Sequence, residues 1–261
     1  MAKLTALVTG ASTGIGYEFA KLLAADGLDL LLVARGADRL RALADEVSAV
    51  EGVDAAVYAT DLSVPGAAAD LYRRIANDGH VVDVLINNAG FGSYGAFHEI
   101  DTDRYADMLE LNVVALTALA RLALADMLAR GNGRILNVAS TAAFQAGPLM
   151  AAYYASKAYV LSLSTAMAYE TRRTGVTVTC LCPGPTASRF QSQGNIGDAR
   201  IMQAGLMDAP TVARTGHRAM MRGRPLVIAG RRNAFLAFLP RLTPRRFAAA
   251  VVAHLQRPAP N

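Results

Sequence analysis

The sequence contains no tryptophan, two cysteines and three lysines among 26 basic residues. Two thiols alone make a poor metal site, and nothing in them asks for an oxidising compartment. Cys180 and Cys182 stand at i and i+2 of one extended run, on the same side of it, where they are poorly placed to bridge each other. A long apolar run is also lacking. The longest uncharged stretch, Ile135 to Ser156, is broken by Asn137, Gln145, Gly147 and Pro148. A membrane span needs about 20 predominantly apolar residues, so this stretch reads as strand, loop and helix start. Met1-Ala2-Lys3-Leu4-Thr5 passes directly into a strand pattern with no apolar leader segment, and a cytoplasmic protein is the expectation. Acidic residues are missing from one end: Ala209 to Asn261 holds ten arginines and no Asp or Glu. That end would suit an anionic partner, but the general use of arginine in place of lysine accounts for it more simply. The signature of a nucleic-acid module is absent, and no nucleic-acid partner is expected.

What is present is core. Hydrophobic residues make up 53% of the 261 and charged ones 18%, enough to bury the interior of one α/β domain spanning 1–261. Strand-like runs occur at Leu4–Thr9, Leu28–Ala34, Ala55–Thr60, Val82–Asn87, Arg134–Ser140, Val176–Cys182 and Leu226–Ala229. Helical patterns lie between them at about Gly14–Asp26, Asp38–Val50, Pro65–Asp78, Thr102–Arg130 and Ala152–Thr174. Nearly continuous apolar strands alternating with helices predict a Rossmann-type doubly wound parallel sheet of about seven strands, flanked by helices.

The first strand ends in Thr9-Gly10-Ala11-Ser12-Thr13-Gly14-Ile15-Gly16 and passes into a helix. Glycines there allow a tight turn, close approach to a pyrophosphate and packing of helix on sheet, and the helix N-terminus offers N–H groups to phosphates. Further on, Tyr153 and Lys157 stand four apart, one turn apart on one helix face. An ammonium beside a phenol favours the phenolate, so Lys157 is expected to lower the Tyr153 pKa toward the working range. Tyr154 is read as a pocket wall. Ser140, leaving a strand end toward the same cleft, is placed to hydrogen-bond a substrate oxygen.

The joint spacing of these elements resembles the short-chain dehydrogenase/reductase family. The quoted parts are the Gly10, Gly14, Gly16 loop, Asn87-Asn88-Ala89-Gly90, Ser140, the Tyr153–Lys157 pair and Pro183-Gly184-Pro185-Thr186. The Cys182 to Thr186 turn and the Arg- and Leu-rich C-terminal end also look like the DltE-like bacterial branch of that family. The resemblance implies catalysis by Ser140, Tyr153, Lys157 and Asn112: Tyr153 moves the proton, Ser140 orients the carbonyl, Lys157 also holds the nicotinamide ribose, and Asn112 holds a water of the proton relay. It implies cofactor contacts by Gly10, Ser12, Thr13, Gly14, Ile15, Gly16, Asp61, Leu62, Asn88, Ala89, Gly90, Tyr153, Lys157, Pro183, Gly184 and Thr186. At the tip of the second strand, Val33-Ala34-Arg35-Gly36 has no acid for a ribose 2′-hydroxyl and a guanidinium suited to a 2′-phosphate, so NADP(H) is the expected cofactor. Arg39 could assist from the next helix turn, but is read in preference as a solvated helix residue. No metal is expected.

The substrate is read from the segments around Phe91, Tyr94, Phe97, Phe144, Leu149, Met150, Phe190, Met202 and Met207 as a hydrophobic aldehyde or ketone, or the matching alcohol. A substrate loop at about 184–210 would act as a lid. Two other classes compete: a non-catalytic NADP-binding redox sensor, which has no need of a proton relay, and a nucleotide-sugar epimerase or dehydratase, which usually carries a longer substrate domain. The helices at about Thr102–Arg130 and Ala152–Thr174 are expected to build a homodimer or homotetramer, through runs such as Ala115 to Ala120 and Val160 to Leu163. The basic helical C-terminal extension, at about 231–256, is expected to dock on the body or a sister subunit near the active-site entrance through Phe247, Val251 and Leu255. A peripheral membrane reductase of a lipid-like ketone is the alternative.

Overall fold

A computed structural model describes residues 3–187 and 205–257. The apolar runs become β1 (Thr5–Thr9), β2 (Asp29–Ala34), β3 (Ala55–Ala59), β4 (Val84–Asn87), β5 (Gly133–Val138), β6 (Val176–Cys182) and β7 (Leu226–Ile228). They pair in parallel throughout, in the order β3-β2-β1-β4-β5-β6-β7. Side chains alternate across the pleat, which divides the core in two. Val8, Leu30, Leu32, Ile86 and Leu136 meet Phe19 and Leu23 of α1 (Gly14–Ala25) and Leu40 and Leu43 of α2 (Ala37–Glu51). Leu7, Leu31, Leu85 and Ile135 meet Leu71 and Ile75 of α3 (Ala67–Asn77) on the opposite face. The sheet is the doubly wound one that the sequence pattern predicts.

The Thr102–Arg130 region is longer and less regular than one helix. It runs as α4 (Thr102–Leu109), a π-helical turn (Glu110–Ala115) and α5 (Leu116–Arg130). By length and hydropathy it would pass for a membrane span, but Met108, Leu116, Leu119, Ala123 and Met127 are buried against the fold. The same burial corrects the expected association surface. Ala115, Leu116, Leu119 and Ala120, and Val160 of α6 (Ala151–Glu170), are core residues of one chain. What these helices leave exposed is Leu109, Val114, Leu128, Tyr159 and Tyr169.

One helix escaped the sequence reading. α7 (Ala209–Met221) begins with Asp208, whose side chain accepts the Thr211 N–H at 2.7 Å, and carries Pro210 in its first turn. An Asp cap followed by Pro is an ordinary start signal. Val212, Ala213, Gly216, Ala219 and Met220 bury its inner face. Of the expected substrate loop, residues 188–204 lie outside the described residues, and with them Phe190 and Met202. Its two described ends are tied together, Ala187 N–H to the Met207 carbonyl and Met207 N–H to the Pro185 carbonyl, each at 2.9 Å.

The C-terminal extension forms α8 (Arg231–Phe238), a short 3-10 turn (Leu239–Leu242) and α9 (Arg245–Gln256). It touches the body with a different stripe from the expected one. Val252 and Gln256 point inward, whereas Phe247, Val251 and Leu255 are exposed, Phe247 at 60%.

Candidate active site

Parallel sheets leave a crevice where neighbouring strands connect in opposite directions, and here that point falls between β1 and β4. Thr9, at the end of β1, fixes it. Its buried hydroxyl donates to the Ile86 carbonyl at 3.2 Å and accepts the Asn88 and Ala89 N–H groups at 3.0 Å each. Asn88 returns its side-chain amide to the carbonyls of Thr9 and Gly10 at 3.0 and 3.3 Å. The glycine loop is therefore bolted to β4. Gly10 turns at φ +67, and a Cβ on Gly16 would lie 2.3 Å from the Gly10 carbonyl oxygen, so α1 packs this closely only with glycine there. Thr13 precedes α1 without capping it through its side chain, which leaves the first-turn N–H groups to the crevice.

The crevice opens into a cleft of about 300 Å³. Gly10, Ser12, Thr13, Gly14, Ile15, Arg35, Asp61, Leu62, Asn88, Ala89, Gly90, Ser140, Tyr153, Lys157, Pro183, Gly184 and Thr186 all line it. Of the catalytic and cofactor-binding residues proposed from sequence, Gly16 and Asn112 alone do not, and of the expected substrate walls Tyr94, Phe97, Phe144, Leu149 and Met207 do not either. Gly16 acts from behind, by packing. Asn112 is fully buried in the π-helical turn, its amide donating to the Phe91 carbonyl at 2.9 Å and to Ser156 Oγ at 3.2 Å, while its oxygen accepts the Phe91 N–H at 3.1 Å. Its side chain holds the segment after Gly90 through these bonds.

Ser140 lies two residues beyond β5, and its hydroxyl caps the following 3-10 turn by accepting the Ala142 N–H at 3.1 Å. It also hydrogen-bonds the Tyr153 side chain. The expected lowering of the Tyr153 pKa is not what this geometry gives. Burial pushes the phenol well above its ordinary value, the Ser140 hydrogen bond pulls it part of the way down, and Lys157 does not counter the burial. The reason is the direction of the lysine: its ammonium donates to the Val138 carbonyl at 2.9 Å and stands 5.9 Å from the centre of the Tyr153 ring. Lys157 is itself buried, which brings its pKa down to about 8, with the Cys180 and Cys182 thiols beneath it opposing that shift. Those two sulfurs sit 3.9 Å apart as free, buried thiols.

At the adenosine end, Arg35, Gly36 and Arg39 line the tip of β2 together. Arg39 is exposed, as read from sequence, and also lines the cleft. Asp61 is the one carboxylate in the described lining, and it accepts the Ser63 N–H and hydroxyl at 3.0 and 2.7 Å, a cap on its own turn. Two guanidiniums and no acid at β2, beside a glycine loop with open N–H groups, fit a nicotinamide dinucleotide bearing a 2′-phosphate.

The other walls are Phe91, Leu111, Met150 and Tyr154, with Thr141, Gln145 and Gln256 as polar members. Tyr154 is the wall residue expected, its ring edge-on to Tyr153 at 6.2 Å. Phe97 is not a wall: it is 64% exposed and stacked on Tyr105. Leu149 stands at φ +67, a strained conformation for a non-glycine residue, with its carbonyl accepting the Gly95 N–H. Gln256 was invisible in the sequence because only the tertiary fold carries the end of α9 to the cleft.

The family model for short chain dehydrogenases matches residues 4–198. The chain belongs to the short-chain dehydrogenase/reductase family. A putative ketoacyl reductase of Streptomyces coelicolor is 40% identical over 182 residues, 69% of either chain. A D-beta-hydroxybutyrate dehydrogenase of Cupriavidus necator is 35% identical over 180 residues, again 69% of either. A short-chain dehydrogenase from Sphingobium yanoikuyae, solved in complex with NADPH, is 30% identical with a TM-score of 0.81, covering 92% of this chain and 94% of that one. These relatives make the chain an oxidoreductase acting between carbonyl and alcohol. They do not single out the DltE-like branch within the family.

Proposed function

We propose that this chain is an NADP(H)-dependent carbonyl reductase, acting as an alcohol dehydrogenase in reverse, on a hydrophobic aldehyde or ketone. The observation that carries the reading is one cleft with Ser140, Tyr153 and Lys157 at one end and Arg35 with Arg39 at the other. NADPH, which the glycine loop, Arg35 and Arg39 would hold along the cleft, would supply the hydride. Ser140 and Tyr153 hold the carbonyl oxygen, and burial keeps the phenol protonated until that oxygen gains charge and takes the proton. With a pKa of about 8, Lys157 is still largely an ammonium at neutral pH, and from its place on the cleft wall it would hold the nicotinamide ribose. Asn112 keeps Phe91 and Ser156 in register with these groups. A pure redox sensor would have no use for the Ser140–Tyr153–Lys157 arrangement. NADPH oxidation against aldehydes, diketones, steroid-like ketones and acyl-thioester ketones tests the reading.

We propose self-association through the outer face of the π-helical turn, α5 and α6, where Val114, Leu128, Tyr159 and Tyr169 stay exposed. Light scattering at micromolar concentration is expected to give a dimer or tetramer, and a monomeric mass would refute the assignment. The exposed face of α8 and α9 favours a second reading, that of a peripheral membrane enzyme. Phe235, Leu242 and Phe247 are 63, 69 and 60% exposed there, edged by Arg231, Arg232, Arg241, Arg245 and Arg246. A two-fold contact through this face would set arginines against arginines with no carboxylate between 209 and 261 to offset them, whereas anionic lipid complements both features. Co-sedimentation with phosphatidylglycerol vesicles, lost at high salt, is expected on this reading; no sedimentation at low salt refutes it.

A further inference from the structure

The end of α9 bounds the cleft beside Tyr154 and Met150, and it is held there by few groups. Of the twelve residues of α9, Val252 and Gln256, one turn apart on one face, are buried. Val252 packs into the cluster of Phe91, Met108, Met150 and Tyr154 that surrounds Tyr153. Gln256 lines the cleft and is gripped through both backbone and side chain. The Tyr94 hydroxyl donates to its carbonyl at 2.5 Å, and its amide nitrogen donates to the Tyr154 hydroxyl at 2.8 Å and lies 3.4 Å from the Met150 sulfur. The two segments it joins are bonded to each other as well, Gly95 N–H to the Leu149 carbonyl at 2.9 Å. Gln256 thus closes a ring of contacts at this end of the cleft.

The members of that ring are unequally fixed. Tyr154 backs onto Gly147, where a Cβ would come within 2.3 Å of its ring, so it has no room to retreat. α9 rests on the body through two side chains and leaves Phe247, Val251 and Leu255 exposed, which makes it the part that yields first. Gln256 is 1% exposed, so it meets the cleft as bulk and not as a hydrogen-bonding group. α9 also lies outside residues 4–198, the part of the chain that matches the family model.

We infer that the last turn of α9 is the wall that sets substrate size, with Gln256 as the specificity-determining residue and Tyr94 as the residue that positions it. The inference rests on the carbonyl-reductase reading and narrows it: ketones compact enough to end short of Gln256 are taken ahead of those that carry a bulky group past it. One methylene too many or too few in a hydrophobic pocket is worth about 10–200-fold in kcat/KM, so a wall one side chain deep is enough to choose between substrates.

The test compares kcat/KM for cyclohexanone and its phenyl-substituted derivatives in the wild type, Gln256→Ala, Gln256→Met and Tyr94→Phe. Melting curves confirm that each variant is folded, and fluorescence titration follows NADPH affinity, which is expected to stay within a few-fold throughout. The wild type is expected to favour cyclohexanone. Gln256→Ala, which cuts the wall back, is expected to raise the ratio of at least one phenyl derivative to cyclohexanone by about tenfold or more. Gln256→Met, similar in bulk but without the amide, is expected to leave that ratio close to the wild type. Tyr94→Phe, which removes the bond to the Gln256 carbonyl, is expected to move it as Gln256→Ala does but by a smaller factor, and it decides the matter if Gln256→Ala does not fold. A merely structural role would lower all substrates together and leave the ratio unchanged, which overturns the inference. So does a ratio in Gln256→Met that rises as far as in Gln256→Ala, or a wild type that takes every phenyl derivative as readily as cyclohexanone; carbonyl reduction itself stands in each of these cases. Failure of the wild type to reduce any of them with NADPH or NADH strikes the carbonyl-reductase reading, and the inference falls with it.

Discussion

Tyr153→Phe is expected to lower kcat by about 10²–10⁴-fold, the usual worth of a positioned general acid, while NADPH affinity stays within a few-fold. The phenol oxygen is needed for proton transfer and for the Ser140 hydrogen bond, whereas the ring that packs beside Tyr154 is kept by the substitution. Removing a desolvated hydroxyl from a buried ring should leave the fold intact. Single-turnover measurements separate the effects: hydride transfer slows while fluorescence titration with NADPH changes little. Activity within a few-fold of the wild type would remove Tyr153 from the chemistry.

Arg35→Asp is expected to weaken NADPH by about 10–10²-fold and to turn preference toward NADH. A charge-assisted hydrogen bond contributes about 1.5–3 kcal/mol, roughly one to two decades of affinity, and the new carboxylate both repels a 2′-phosphate and suits a ribose 2′-hydroxyl. Arg39, whose guanidinium sits within 3.2 Å of where a Cβ on Gly36 would be, retains part of the phosphate affinity, so Arg35→Asp with Arg39→Ala should go further. Fluorescence titration of the wild type with both cofactors decides the premise. Equal affinity for NADH and NADPH would contradict it.

The parts of this molecule that were legible in the sequence are those governed by local pattern. β6 runs from Val176 to Cys182 as its apolar, β-branched run predicts, and α1 starts at Gly14 where the glycine loop ends. The cleft lining followed for the same reason, since strand ends and the turns after them must gather at the β1–β4 switch point. Long-range geometry was not legible. The Tyr153–Lys157 spacing gives a shared face, but the direction of the lysine toward Val138 and the dominance of burial depend on neighbours far away in the chain. In α9 the apolar stripe Phe247, Val251, Leu255 suggested the docked face, yet Val252 and Gln256 are the residues that dock. Two apolar faces on one short helix cannot be ranked without knowing what each one meets. α7 was a different failure: Asp208 and Pro210 carried an adequate start signal, hidden by the loop-like composition just before it.

The central claim is that this cleft reduces carbonyls with NADPH, and the most direct measurement follows the disappearance of reduced nicotinamide with the purified protein and the carbonyl panel. The account predicts substrate-dependent oxidation, faster with NADPH than with NADH, and abolished in Tyr153→Phe. NADPH that binds tightly yet is oxidised by the protein with no member of the panel would contradict it.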